Sequence, residues 1–178
     1  MKKVFKVNII VITSILFIFL FNGCTNSVSE NNSKEIFPNP DKIILYNLGK
    51  LKEVKKGDKG FEEIIKLTNN RIDIKKLSPV KDTINDDIIT GKKSRVLAVE
   101  FIYDNKQKLS LPGDGFSSIK YNKLFFELYD VTSSAMPGGP GHKVFQYGDS
   151  SHFKGSSIGL INESEELNAI VESIVRAN

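Results

Sequence analysis

The first 23 residues restrict which part of this 178-residue chain can form a folded domain. Lysines at positions 2, 3 and 6 precede an almost wholly apolar run at 9–21, and the short residues Asn22 and Gly23 follow it. A basic segment, a brief apolar segment and short residues in this order are typical of a secretory signal. We therefore assign residues 1–23 to a signal peptide and expect the fold to begin after it.

A cysteine follows this leader directly. The segment Phe21-Asn22-Gly23-Cys24 resembles the lipobox of bacterial lipoproteins, in which a small residue precedes an acylated cysteine. The resemblance implies cleavage before Cys24 and attachment of fatty acyl chains such as palmitate to its thiol. Phe21 stands where the family usually has Leu, and Asn22 where it usually has a small residue. Cys24 is also the only cysteine, and lipidation accounts for a lone thiol in an oxidising exterior.

Two other interpretations of the leader stay open. An uncleaved membrane helix could use residues 4–21, which lie at the lower end of the length needed to span a bilayer. An ordinary secreted protein would lose the leader without gaining lipid. For a lipoprotein, each buried CH₂ group adds about 0.8 kcal/mol, so two acyl chains would hold the protein durably. We expect a lipid-anchored protein on the outer face of the cell membrane.

The charge of the mature chain argues against a nucleic-acid partner. The leader carries three lysines and no acidic residue, so its removal lowers the formal net charge from +4 to +1. A nearly neutral chain lacks the basic footprint that phosphate backbones require. We therefore expect the membrane, and an envelope protein or cell-wall polymer, as partners.

The composition after the cysteine predicts one tethered domain. Residues 24–40 are rich in Asn and Ser and end with two prolines, which is typical of a disordered tether. Residues 41–178 suit a single domain. Because the chain has no tryptophan and no cysteine pair, its core must come from Ile, Leu, Val, Phe and Tyr.

Local patterns predict the elements of the first half of this domain. Asp58 is expected to cap a helix. In chain order we predict a strand at 42–46, a turn at 47–49, a hairpin partner at 50–56, a helix over 59–70, and a long connection at 71–94 with a short strand around 87–90.

The second half is predicted to contain most of the sheet. Residues 95–103 are largely apolar on both faces, which indicates an inner strand. We predict a turn at 104–106, strands at 108–111, 119–129 and 143–147, and a terminal helix with Asn162 as its N-cap. Short links favour antiparallel pairing, so the expected fold is α+β, an antiparallel sheet of about five strands with two helices on one face. A β-sandwich is the alternative, but it does not account for the terminal helix.

Glu100 is the one acidic residue in the predicted inner strand. A buried acid with a raised pKa could transfer protons. We favour a structural interpretation, in which Glu100 faces solvent or pairs with a lysine on a neighbouring strand.

Reactive residue types gather in the glycine-rich segment 136–157, namely His142, Asp149, Ser150, Ser151 and His152. They suggest a serine nucleophile with its base, or a metal site of two histidines and one aspartate. However, the chain has no Gly-x-Ser-x-Gly elbow and no His-Glu-x-x-His motif, and the glycines lack the lysine of a phosphate loop. We therefore assign no catalytic residue, cofactor or metal ligand, and expect a surface loop suited to contacts.

The layout is similar to that of uncharacterised small lipoproteins of low-GC Gram-positive bacteria. The likeness lies in the lipobox, the polar tether, Lys-Ile-Ile-Leu-Tyr at 42–46 and Val-Glu-Phe-Ile-Tyr-Asp at 99–104. It implies surface exposure and carries over only Cys24. We predict a non-enzymatic binding or interaction module. The alternatives are a small hydrolase or metal-dependent protein using the 142–152 loop, or an immunity or regulatory lipoprotein that sequesters an inhibitor or toxin.

Overall fold

The computed structural model describes residues 35–80, 82, 84–111, 118–130, 143–159 and 161–177. The strands in these ranges are β1 (Lys42–Asn47), β2 (Lys50–Lys55), β3 (Ser78–Val80), β4 (Val96–Leu109), β5 (Ile119–Asp130), β6 (Val144–Gly148) and β7 (Ser157–Gly159). The helices are α1 (Phe61–Asn70), α2 (Asp86–Lys93) and α3 (Glu165–Arg176), with a 3₁₀ turn at Ile74–Lys76.

The seven strands form one antiparallel sheet in the order β2-β1-β4-β5-β6-β7-β3. The expected α+β class and antiparallel sheet are confirmed. The expected counts of five strands and two helices are wrong, because the described residues contain seven strands and three α-helices. The two additional strands, β3 and β7, are only three residues long and carry little periodic signal.

Alternation along the strands divides the core between the two faces of the sheet. Ile43 and Leu45 of β1 belong to the main core, where α1 and α3 pack, as expected. Tyr46 belongs to a smaller core on the opposite face, together with Ile89 of α2. The sheet is therefore covered on both faces, rather than on one.

Two of the predicted helix starts lie a few residues away from their observed positions. The helix α1 begins after Gly60, which has a φ of 89°. The side chain of Asp58 instead accepts the Lys55 N–H at 2.8 Å. The helix α3 is capped by Ser164, whose hydroxyl accepts the Leu167 N–H at 3.2 Å, rather than by Asn162. In both places two candidate cap residues lie close in sequence, and the local pattern does not show which of them begins the helix.

The segment predicted as a long connection contains α2 instead of a short strand at 87–90. The side chain of Asn85 accepts the Ile88 N–H at 2.9 Å and begins the helix. Only Ile89 is fully buried among its residues, so the periodic apolar signal is weak. The same segment also contains β3, where Pro79 is tolerated because β3 lies at an edge of the sheet.

The predicted turn at 104–106 is an irregularity within the long strand β4. Pairing with β5 shifts register between Ile102 and Gln107, and the strand then continues to Leu109. The carboxylate of Asp41 accepts the Asp104 N–H at 2.7 Å and so satisfies one backbone group at the shift. Polar residues typical of a turn are thus accommodated by a bulge.

Phe37 extends the folded domain into the segment that was assigned to the tether. Its ring is 0% exposed and lies 5.4 Å from the ring of Phe126 and 5.2 Å from that of Phe145. The side-chain oxygen of Asn69 accepts the N–H groups of Ile36 and Phe37 at 3.0 and 2.9 Å. The domain therefore includes residues 36–40, and the boundary expected at residue 41 falls too late. The leader 1–23 and the tether up to residue 34 lie outside the described residues.

Candidate functional site

The loop between β6 and β7 contains Asp149, whose carboxylate holds the loop in shape. It accepts the N–H groups of Ser151 and His152, both at 3.1 Å, and pairs with the Lys154 ammonium at 2.8 Å. The Lys154 hydrogen bond, followed by these two backbone N–H groups, keeps the pKa of Asp149 well below its usual range. Asp149 is therefore ionised and fully engaged with its own loop.

The imidazole of His152 contacts a different carboxylate. Its Nδ1 lies 2.7 Å from Asp86 in the first turn of α2. The other oxygen of Asp86 accepts the Phe153 N–H at 3.0 Å. This backbone hydrogen bond, and then the one to His152, lower the pKa of Asp86. The loop is joined to α2 through Asp86, while the ring itself stays 74% exposed.

The residues that the sequence grouped as reactive do not form one catalytic arrangement. The Asp149 carboxylate and the His152 ring have separate side-chain partners, and in the described part of the loop no serine hydroxyl is hydrogen-bonded to the His152 ring. Ser150 and Ser151 are exposed. His142 and Cys24 lie outside the described residues. Among the residues that are described, no cluster of three or more His, Cys, Asp or Glu side chains is arranged to hold a metal ion.

The helix α2 is fixed to the sheet by two lysine–carboxylate pairs. Lys93 Nζ lies 2.7 Å from Glu100 of β4, and Lys92 Nζ lies 2.7 Å from Glu127 of β5. Both carboxylates are buried. Glu127 is opposite Ala98 in the strand register, so the two acids are diagonal neighbours on the same face.

Aromatic side chains surround the Lys93 ammonium. Its nitrogen lies 5.0 Å from the ring centre of Tyr46, 5.9 Å from that of Phe125 and 5.6 Å from that of Phe153. The Tyr46 hydroxyl also donates to Glu100 at 2.6 Å. Burial, followed by the Glu100 charge, raises the pKa of Tyr46, so its hydroxyl stays protonated as a donor.

Within this cluster the Glu100 carboxylate is engaged by neighbouring side chains. The Glu100 side chain is 4% exposed and already accepts from both Tyr46 and Lys93. The expectation of a lysine partner for Glu100 was correct, but that lysine lies on a helix rather than on a neighbouring strand. Sequence reasoning missed α2, although one signal was present: Asn85, two aspartates and, one turn or more later, two lysines match the usual order of helix ends.

Two open grooves lie on the main-core side of the domain. One, of about 350 Å³, lies between β2 and the end of α3 and is lined by Lys52, Val54 and Ile174 among others. The other, of about 400 Å³, is lined by Lys76, Lys143, Ile161, Asn162 and Glu163. Both mix basic, acidic and apolar side chains.

Arg71 supports the wall of the second groove. Its Nε donates to the Asn162 carbonyl at 2.7 Å, and the Asn162 N–H donates back to the Arg71 carbonyl at 2.8 Å. Burial lowers the pKa of Arg71 to about 10, while the nearby Glu163 charge acts in the opposite direction. The guanidinium is therefore still charged at neutral pH and joins α1 to the segment before α3.

Comparison with protein-family models, curated proteins and solved structures finds no match, so the chain is assigned to no family. In the ranges that the structure describes, none of the helices combines the length and apolar character required to cross a bilayer.

Proposed function

We propose that this protein is a lipoprotein anchored by lipid to the outer face of the cell membrane, and that its domain acts as a non-enzymatic binding module. The observation that carries the proposal is Cys24, the only cysteine, placed directly after Gly23 at the end of a basic and apolar leader. A lipidated cysteine supplies the membrane attachment by itself. The domain is then free to present its surface to an envelope protein or to wall polymer.

The contacts of the β6–β7 loop support binding over hydrolysis. Asp149 is engaged by Lys154 and by its own loop, and His152 is joined to Asp86. A nucleophile and its base need a direct hydrogen bond between them, whereas these pairs fix the loop on the sheet. A loop fixed in this way presents its exposed serines and imidazole as a preformed contact surface.

The distance between anchor and domain follows from the buried position of Phe37. The segment 25–35 separates Cys24 from the first residues that pack on the domain. As a flexible coil, its 11 residues would have a root-mean-square length of about 18 Å. The domain would therefore operate close to the bilayer surface.

The proposed anchor is tested by replacing the thiol. In Cys24→Ser, we expect an unprocessed precursor, no incorporation of labelled palmitate, and a large decrease in the membrane-bound mature form. Ser27→Ala is the matched control, because it changes a neighbouring polar residue and leaves the lipobox intact. Wild-type processing and labelling of Cys24→Ser would contradict the proposal.

The binding function is tested by capturing partners from detergent-solubilised membranes with the lipidated protein. We expect enrichment of one envelope protein or of wall polymer over a control with unrelated lipoprotein bait. Turnover of an ester or wall substrate that is lost in His152→Ala would instead support the hydrolase alternative. Capture of a secreted toxin or inhibitor would support the immunity alternative.

A further inference from the structure

The turn between β1 and β2 places a leucine where leucine is unfavourable. Asn47 pairs with Lys50, so Leu48 and Gly49 form a two-residue hairpin turn. Both have positive φ, 51° and 79°, as in the type I′ turn that favours Asn-Gly. A leucine in this left-handed region is sterically strained. Gly49 suits its position, whereas the choice of Leu48 lowers local stability.

Burial does not compensate for this strain. Leu48 is 51% exposed and Leu51, three residues later, is 65% exposed. Across the described ranges, only Ile88 joins these two as an exposed large hydrophobic residue. We define the hairpin tip as Leu48, Gly49, Lys50 and Leu51. Two exposed leucines within four residues, one of them with a positive φ, make the hairpin tip a candidate contact surface.

Basic side chains lie beside the hairpin tip. Lys50 belongs to the tip, whereas Lys55 lies at the other end of β2, opposite Lys42. Glu53 is paired with Lys42 and Lys55, at 3.4 and 3.1 Å, and so does not approach the tip. Lys50 is exposed between the two leucines, and a Cβ atom on Gly49 would lie 3.6 Å from the carbonyl of Ser94, the residue before exposed Arg95. Apolar and basic side chains therefore alternate at this end.

We propose that the hairpin tip docks onto an anionic lipid bilayer, with Leu48 and Leu51 in the interface and Lys50 at the headgroups. The proposal rests on the proposed lipid anchor and adds a second membrane contact that orients the domain. A bilayer suits the tip better than a protein does, because four residues are too few for a stable protein interface of about 1,000 Å² or more. At a bilayer, weak insertion of the hairpin tip is sufficient for binding when the lipid anchor already holds the protein there.

The tip can reach the bilayer from the anchor. Eleven residues separate Cys24 from Ile36, and fully extended they span about 37 Å. β1, which leads from this end of the domain to the hairpin tip, rises about 20 Å over its six residues, so the tip lies within that span. The acyl chains would keep the tip at high local concentration near the headgroups.

The test uses the absence of tryptophan from the chain. Lipidated Leu51→Trp protein is reconstituted into vesicles of phosphatidylglycerol and brominated phosphatidylcholine, and tryptophan fluorescence is measured. Ala169→Trp is the control, because Ala169 is exposed on α3 and is not part of the hairpin tip. We expect quenching at position 51 to exceed that at 169 by about twofold or more, because bromine on the acyl chains quenches only a tryptophan that enters the bilayer and comes close to it.

The contributions of the Lys50 charge and of the Leu48 side chain to membrane contact are tested in the same vesicles. Adding Lys50→Gln or Leu48→Asn to Leu51→Trp, or raising salt, should lower the quenching, and so should omitting phosphatidylglycerol. Equal weak quenching at 51 and 169 would overturn the proposal. Shielding of the tryptophan at position 51 in native membranes, without quenching by bromolipid, would also overturn it and assign the tip to a protein. Vesicle flotation of both variants reports the anchor separately, so failure of the anchor and failure of the tip are distinguished.

Discussion

Lys93 Nζ and the Glu100 carboxylate lie 2.7 Å apart across the interface between α2 and the sheet, and seven positions separate the two residues in the chain. The helix ends at Lys93 and β4 begins at Val96, so the chain reverses within a few residues and brings the lysine over the strand that follows it. The Tyr46 hydroxyl and the rings of Tyr46, Phe125 and Phe153 complete the surroundings of this pair. The pair therefore determines how α2 sits on the face that carries the smaller core.

We predict that Lys93→Met destabilises the domain by about 2–4 kcal/mol, because it leaves the buried Glu100 carboxylate with the Tyr46 hydroxyl as its remaining side-chain partner. Urea unfolding measures the change. The double variant Lys93→Met/Glu100→Gln should lose less than the two single losses together, because it leaves no unpaired buried charge at this position.

Lys76→Met is the control for that experiment. Lys76 also pairs with an acid, Asp73 at 3.3 Å, but the lysine side chain is exposed. Its loss should change stability by less than about 0.5 kcal/mol. Similar losses in Lys93→Met and Lys76→Met would contradict a special role for the Lys93 pair.

Phe37→Ala should destabilise the domain by about 3–5 kcal/mol, because it removes a fully buried ring that packs against the rings of Tyr121, Phe126 and Phe145. Thermal and urea unfolding test this expectation. Glu35→Ala, at an exposed neighbouring position, should have little effect. A chain that starts at residue 41 and unfolds with wild-type stability would contradict the inclusion of Phe37 in the domain.

Leu48→Asn should raise the free energy of unfolding by about 0.5–1 kcal/mol, because Asn tolerates positive φ in a two-residue turn better than Leu does. The expected shift in Tm is about 2–4 °C. Gly49→Ala is the opposite control and should lower Tm, since Gly49 has a φ of 79°. A lower Tm for Leu48→Asn would show that the leucine stabilises the isolated fold.

Asp86→Asn should lower Tm at neutral pH. The pKa of Asp86 is depressed in the folded protein, mainly by the Phe153 N–H and then by His152. Its contribution is fully present above the unfolded pKa of 3.8 and is lost as pH falls through the lower folded pKa. The Tm difference from wild type should therefore be present at neutral pH and shrink below about pH 4.

Asp87→Asn is the matched control for this pH series. Asp87 is also in the first turn of α2, but it is exposed and Phe153 bonds to Asp86 instead. The substitution changes the same helix-end charge without breaking the contact to the β6–β7 loop. Equal Tm profiles for the two variants would mean that the helix end, and not the loop contact, accounts for the effect.

Several strands could be predicted because their signal is local. The β-branched and aromatic run at 42–46 and the two apolar faces at 95–103 indicate strands wherever they occur, and β1 and β4 confirm both. The terminal helix could be predicted for the same reason, since Leu167, Val171 and Val175 repeat at helical spacing and are buried. These patterns depend on neighbours within a few residues.

The rest depended on contacts between distant residues. Nothing local indicates that Phe37 is buried by Phe126 and Phe145, or that the His152 ring contacts Asp86 rather than the nearby Asp149 carboxylate. The sequence by itself determined the strand-rich α+β class and the prediction of an anchor at Cys24. Tertiary structure decided where the domain begins, which face α2 covers and which carboxylate each basic side chain contacts, because partners far apart in the chain are selected by packing and not by periodicity.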